Sequence, residues 1–343
     1  MEPDTRLIAL RILIVTSLFL GGAWGVSAQL QPIPTAPDRQ HGIELFNQHR
    51  FGEAARQLRQ AVKHDAQDYQ AWFYLGLALA KQNDLKNANK SLEQALKLRP
   101  NSAEAHNGLA YVYLLRNKQT DVISEAQAAL RLDPSLAEPH YFLGVANLRM
   151  NSREKALAEA DIAINLNPNF PAPYLLKSQA LVSFFEEAVV LDPKVRSENR
   201  RERFREAALA LEQFLKLEPN AEYRQTWIEQ LESLRVYAEF RQPGTEGSDQ
   251  SGTAVIQRVR VLTKPAAGYT EIARRNGTSG TVVLRAIFAA DGKVKHILVV
   301  KGLPDGLSEQ AVAAASKIKF IPASIDGKPA AMFMQLEYTF NLY

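Results

Sequence analysis

A chain of 343 residues that is 46% hydrophobic holds enough apolar material for two or three cores, so wholesale disorder is excluded. With no cysteine anywhere, disulfides, thiolate metal sites, a cysteine nucleophile and a thiol-linked lipid anchor are excluded too. The net charge of +4 is unevenly placed, with twelve Lys or Arg against six Asp or Glu in residues 254–343 but 27 against 29 in residues 29–253.

The amino terminus carries Arg6 and Arg11, an uncharged run from Ile12 to Trp24, and Val26-Ser27-Ala28. That order of basic, apolar and small residues is the order of a secretory signal, cleaved after Ala28. An uncleaved anchor is the competing reading, because Leu7 to Ala28 is just long enough to span a bilayer. Either way the rest of the chain is expected outside the cytoplasm.

A period of 34 residues follows. Pro100, Pro134 and Pro168 are spaced by 34, as are Trp72, His106, His140 and Tyr174. In the clearest copy Trp72, Leu75, Gly76 and Leu79 share one predicted helix, and Ala88, Leu92 and Ala95 the next. Gly76 and Ala88 leave room for the two helices to cross closely, the leucines fill the seam, and Pro100 stops the second helix. An earlier copy has Gly42, Ala54, Leu58 and Ala61 in register, and later copies begin near Ala103 and Ala137. A fifth starts at Pro171, but its stop at Pro219 lies 51 residues after Pro168, so it carries 17 extra residues. A last predicted helix, "AEYRQTWIEQLESLRVYAEF", caps the array.

These residues resemble the tetratricopeptide (TPR) repeat, which implies an α solenoid of helix-turn-helix repeats over about 38–240 with a concave face lined by the first helix of each repeat. On the positions that face the groove in that family stand Phe73, Leu77 and Lys81, then Asn107, Tyr111 and Leu115, then Tyr141, Val145 and Arg149. An aromatic, mildly basic groove suits an extended peptide or a partner helix; the alternative is that Phe73, Tyr111 and Tyr141 are packing residues.

Residues 241–253, "RQPGTEGSDQSGT", hold three glycines and a proline with almost nothing apolar and read as a flexible linker. Beyond it, residues 254–343 change period. Two β-rich runs flank Asp291-Gly292, a dipeptide of tight hairpins whose residues tolerate positive φ. Ser308 is the expected N-cap of a helix whose Ala311, Val312, Ala315 and Ile318 face the sheet. From Met332 to Asn341 apolar and polar residues then alternate with period two, which predicts a strand with one buried face.

Pro265, Tyr269, Ala273-Arg274, Gly277, Gly280-Thr281-Val282, Asp291-Gly292-Lys293-Val294, Gly306-Leu307, Phe320, Pro322-Ala323 and Gly327-Lys328-Pro329, in that order, resemble the carboxy-terminal domain of the TonB family. The resemblance implies a small α+β domain, a three-stranded antiparallel sheet with helices on one face. It also implies that the domain takes up a short segment of an outer-membrane transporter as an added strand. The receiving edge would then be the last strand, with Met332, Met334, Gln335, Glu337, Thr339 and Asn341. Two departures stand out. Thr270 replaces the proline usual after the tyrosine, which should loosen the lead-in turn. No histidine precedes His41, and a repeat array replaces the family's proline-rich spacer, so coupling to an inner-membrane proton-channel complex is the alternative role.

Other constellations carry no chemistry. His106 and His140 share the position of Trp72 and read as packing residues between helices, with no carboxylate expected to recur beside both, so no metal is expected. Residues 277–280 lack the Lys and Ser/Thr of a phosphate loop, and no G-x-S-x-G elbow occurs. Glu186 and Glu187 lie in a charged, solvated stretch. The scattered tail cations lack the clustered aromatics that stack bases, so no nucleic-acid partner is expected. The expectation is a non-enzymatic interaction protein with no cofactor and no small-molecule substrate. Its partners would be a TonB-dependent transporter or another envelope protein, with a homodimer also open.

Overall fold

The computed structural model describes residues 37–183, 193–221, 224–240, 255–303 and 305–342. The leader segment 1–28, the linker 241–253 and the Glu186-Glu187 pair lie outside the described residues. The chain divides into two compact units, one ending at Leu176 and the other running from Lys177.

The first unit is a run of helix pairs: α1 (Pro37–Asn47) with α2 (Phe51–His64), α3 (Tyr69–Lys81) with α4 (Leu85–Leu98), α5 (Ala103–Leu115) with α6 (Gln119–Leu132), and α7 (Ala137–Arg149) with α8 (Arg153–Leu166), followed by the start of α9 (Pro171–Ser183). The second helices bury the small residues predicted for the seam. Ala54, Ala88, Val122 and Ala156, each 34 apart, are fully buried, as are Ala61, Ala95, Ala129 and Ala163. The close crossing at Gly76 is real, since a Cβ there would come within 2.6 Å of Leu92 Cγ and 3.2 Å of the Ala88 carbonyl. Asp68 and Ser102, again 34 apart, cap α3 and α5 by accepting the N–H of Ala71 at 3.0 Å and of Ala105 at 3.1 Å. The turn inside each pair closes on a left-handed residue, His49, Asn83, Asn117 or Asn151, at φ 60, 62, 58 and 62°.

The second unit begins with helical residues. α10 (Pro193–Leu217) packs on α11 (Arg224–Glu239) through Phe204 on Tyr237, ring centroids 5.1 Å apart, and Phe214 on Trp227 at 6.1 Å. The sheet follows, in the order β4 (Val294–Lys301), β3 (Gly280–Phe288), β8 (Met332–Phe340), all antiparallel. Val282, Leu284, Ala286 and Phe288 of β3 join Leu336, Tyr338 and Phe340 of β8 in one core, closed by Ala273 of α12 (Glu271–Asn276) and by Leu307, Ala311 and Ala315 of α13 (Leu307–Ala315). Short strands β1 (Ile256–Gln257) and β2 (Arg260–Thr263) run antiparallel to β6 (Ala323–Ile325) and β5 (Lys319–Ile321), and β7 (Lys328–Ala330) pairs with β6.

Several local expectations are corrected. The β3–β4 turn is closed by Ala289 N–H to the Lys293 carbonyl, and only Gly292, at φ 78°, has positive φ; Asp291 instead accepts the Lys293 N–H through its side chain. That is a three-residue loop with the glycine in the left-handed position, not a two-residue turn. The residue before α13 is Gly306 at φ 79°, while Ser308 Oγ bridges the N–H and carbonyl of Leu303. Thr270 does not loosen the lead-in: its Oγ1 accepts from Ala273 N–H at 3.1 Å, capping α12, and donates to the Asp305 carbonyl at 2.6 Å.

Helices are not confined to one face of the sheet. Val283, Ile287, Leu298 and Val300 point away from the α12–α13 core yet are buried, because α11 covers that side. Tyr237 stacks on Phe333 of β8 with centroids 4.9 Å apart and planes 7° from parallel. The central strand is thus apolar on both faces, which is why "GTVVLRAIF" reads as a nearly continuous hydrophobic run.

Candidate peptide-binding edge and groove

The sheet has two outer strands, and they differ. In β4 the register shifts between the pairs Arg285–Leu298 and Ile287–Lys295, leaving His296, at φ 48°, and Ile297 in a bulge. Both carbonyls of that bulge are taken by α11: Tyr237 OH donates to His296 O at 3.0 Å and Gln230 Nε2 to Ile297 O at 3.2 Å.

β8 is the other edge. It pairs only with β3 among the described strands, in unbroken register from Gly280–Phe340 to Phe288–Met332. The Glu337 carbonyl accepts Lys264 Nζ at 2.7 Å, so it is turned outward, and Thr281 Oγ1 lies 3.2 Å from Thr339 Oγ1, as in a closely spaced non-hydrogen-bonded pair. By alternation the N–H and C=O groups of Phe333, Gln335, Glu337 and Thr339 face the open edge. Gln335, Glu337 and Thr339 are exposed, and Gln335 Nε2 donates to Glu337 Oε1 at 3.1 Å. Met332 and Met334 are half-buried on the core side. Asn341 is exposed just past the end of the strand, which stops at Phe340.

Lys264 is a residue of this edge that periodicity could not reveal. Its ammonium also sits 4.6 Å from the Tyr338 ring centroid, so one cation reaches the outermost backbone and the strand's aromatic together. Its position directly before Pro265 was the only hint.

In the repeats, Phe73, Leu77, Asn107, Tyr111, Tyr141 and Val145 are buried between helices. Tyr141 meets Phe170 edge-on at 5.5 Å, and burial pushes the hydroxyls of Tyr111 and Tyr141 far above the usual tyrosine range. Lys81 and Leu115 are half-buried and Arg149 is exposed. Lys81 Nζ lies 5.2 Å from the Tyr111 ring centroid, and burial lowers its pKa to about 8. Arg149 Nη1 donates to the Leu114 carbonyl at 2.9 Å, tying two successive repeats.

A carboxylate does recur beside the repeat histidines, in space. His106 Nδ1 lies 2.7 Å from Glu125 Oε2, and His140 Nδ1 2.7 Å from Glu159 Oε2. Both pairs tie the first helix of a repeat to its second, and Glu125 and Glu159 are themselves 34 apart. Among the described residues no cluster of three or more metal-ligating side chains forms. No described helix is long and apolar enough to cross a membrane.

A family model described as the Gram-negative bacterial TonB protein C-terminal matches residues 265–342. Models described as tetratricopeptide repeat and TPR repeat match residues 39–88 and 76–115. The chain is a TPR array fused to a TonB-type carboxy-terminal domain. Both matches are to protein-interaction modules. Among solved structures, a thermophilic TPR protein of Thermus thermophilus is 17% identical with a TM-score of 0.45, covering 57% of this chain and 96% of that one. MamA from Desulfovibrio magneticus RS-1 is 22% identical with a TM-score of 0.41, covering 54% and 95%. No curated protein matches the chain.

Proposed function

We propose that the protein is a periplasmic interaction protein whose TonB-type domain takes up an extended segment of an outer-membrane transporter, or of another envelope protein, as a fourth strand beside β8. The TPR array holds a second protein partner. The reading rests on one asymmetry: α11 occupies the carbonyls of the β4 bulge, whereas the outward backbone groups of β8 accept, among the described residues, only from Lys264. Strand addition draws on main-chain hydrogen bonds, each contributing about 0.5–1.5 kcal/mol net, so several neighbouring outward groups are needed and no single side chain dominates.

Proline distinguishes this mechanism from side-chain recognition. At Gln335 or Thr339 the lost N–H belongs to the open edge and not to the β3 ladder, so the variant should fold yet bind at least tenfold more weakly. Glu337→Ala should cost less than threefold. Circular dichroism checks folding and calorimetry checks binding of a synthetic transporter segment; equal affinity in a folded Thr339→Pro variant would remove the mechanism and favour the basic surface of Arg274, Arg275 and Lys295. Amino-terminal sequencing from cell envelopes tests location, with Gln29 expected first and an intact Met1 or Glu2 start pointing to the anchored form.

A further inference from the structure

The ribbon that leads into the TonB-type domain carries a second surface. Ile256 faces Ile325, Gln257 faces Ser324, Arg260 faces Ile321 and Val261 faces Phe320, so β1 and β2 share one antiparallel register with β6 and β5. Phe320 is in the core and Val259 packs against it, which turns Val259 inward, while Val261, opposite Phe320 in the register, is still 37% exposed. By alternation the opposite face holds Ile256, Arg258, Arg260 and Leu262 with Lys319 and Ile321, and also Ala323, which is fully buried. Three large apolar side chains on it are well exposed, Ile256 at 40%, Leu262 at 56% and Ile321 at 44%. The cations interleaved with them, Arg258, Arg260 and Lys319, are exposed and make no ion pair among the described residues, as is true of Lys328 beside Ile325. The acidic group nearest in the ribbon, Asp326, is engaged in accepting the Val255 N–H at 2.9 Å.

We infer that this strip docks on a membrane leaflet bearing anionic headgroups. Cations that make no ion pair among the described residues, alternating with exposed aliphatic side chains, match what such a surface offers: phosphate charge at the headgroups and an acyl boundary just beneath. Charge complementarity selects this occupant, because the ribbon carries four cations against the single carboxylate of Asp326. Docking here leaves β8 unused, since the ribbon and the β4–β3–β8 sheet are separate ladders.

The test is vesicle co-sedimentation of the chain from residue 29, which keeps every described residue. Vesicles of phosphatidylcholine with one quarter phosphatidylglycerol should bind it, pure phosphatidylcholine should not, and salt should weaken the binding. Each cation removed should lower partitioning about fivefold, so Arg260→Gln with Lys319→Gln should lower it more than tenfold. Leu262→Ser with Ile321→Ser should also weaken it, while circular dichroism stays unchanged because all four positions are exposed. Absence of binding, or binding by both double variants as strong as that of the wild type, overturns the inference. So does a concentration-dependent dimer in analytical ultracentrifugation that Leu262→Ser with Ile321→Ser abolishes, which would assign the strip to a second copy of the chain.

Discussion

Replacing Tyr237 asks whether α11 belongs to the sheet or only precedes it. The ring is 1% exposed, lies between Phe204 at 5.1 Å and Phe333 at 4.9 Å, and its hydroxyl donates to His296 O at 3.0 Å. Tyr237→Phe keeps both ring contacts and loses one hydrogen bond, so it should cost about 1 kcal/mol. Tyr237→Ala also removes a buried ring from beneath both neighbours and should cost about 3–5 kcal/mol. Hydrogen exchange followed by mass spectrometry on the full chain separates the consequences. In the alanine variant, peptides covering β4 and the start of β8 should lose protection, because α11 caps the bulge of one and stacks on the other. Peptides from α3 to α6 should be unchanged. If residues 294–301 exchange as in the wild type, the sheet does not depend on α11 and the packing argument fails. The same reasoning expects residues 254–343 alone to be less stable than a fragment starting at 193, since the shorter piece leaves Leu298, Val300 and Ile287 uncovered.

Three further outcomes follow from local geometry. Gly76→Ala should destabilise the repeats by about 1–2 kcal/mol, as overpacking against Leu92 outweighs the helix propensity gained; Gly52→Ala, whose Cβ would find nothing nearer than Gln82 Oε1 at 3.8 Å, should be neutral or stabilising in the same thermal melt. Asn83→Val should cost about 1–2 kcal/mol because φ is 62° there, whereas Asn83→Gly should be nearly neutral in urea titration. Lys81 has a folded pKa lowered by burial from 10.5 to about 8, so between those pH values the unfolded chain binds more protons. Stability should therefore rise with pH across that window. Lys81→Met should remove that slope, and a wild-type stability flat from pH 8 to 10 would contradict it.

Much of the repeat array was legible because a solenoid repeats one local solution: the seam of Ala54, Ala88, Val122 and Ala156 is a period that can be counted along the chain. The same period held two signals that went unread. His49, Asn83, Asn117 and Asn151 mark the left-handed turn, and Glu125 and Glu159 follow His106 and His140 at a fixed distance of 19. The groove was harder. Whether Phe73, Tyr111 and Tyr141 face solvent or a neighbouring helix depends on how far successive repeats rotate, which no single repeat encodes. The strand at 332–340 was plain from alternation, but α11 on the opposite face of the sheet was not, because that contact joins residues such as Tyr237 and His296 across 59 positions. Ser308 is ambiguous in sequence because a serine before an apolar run fits two roles, and only the turn at Gly306 decides between capping the helix and bridging Leu303.

The central claim is that β8 accepts a strand, and backbone amides report it most directly. The chain from residue 29, labelled with nitrogen-15, would be titrated with a synthetic peptide copying the amino-terminal plug segment of a TonB-dependent transporter from the same envelope. Saturation should protect the outward amides of Gln335, Glu337 and Thr339 from solvent exchange, leave Leu336 and Tyr338 as they were, and fail in folded Thr339→Pro. Saturable binding that protects none of those three amides, or that survives Thr339→Pro undiminished, would contradict the account.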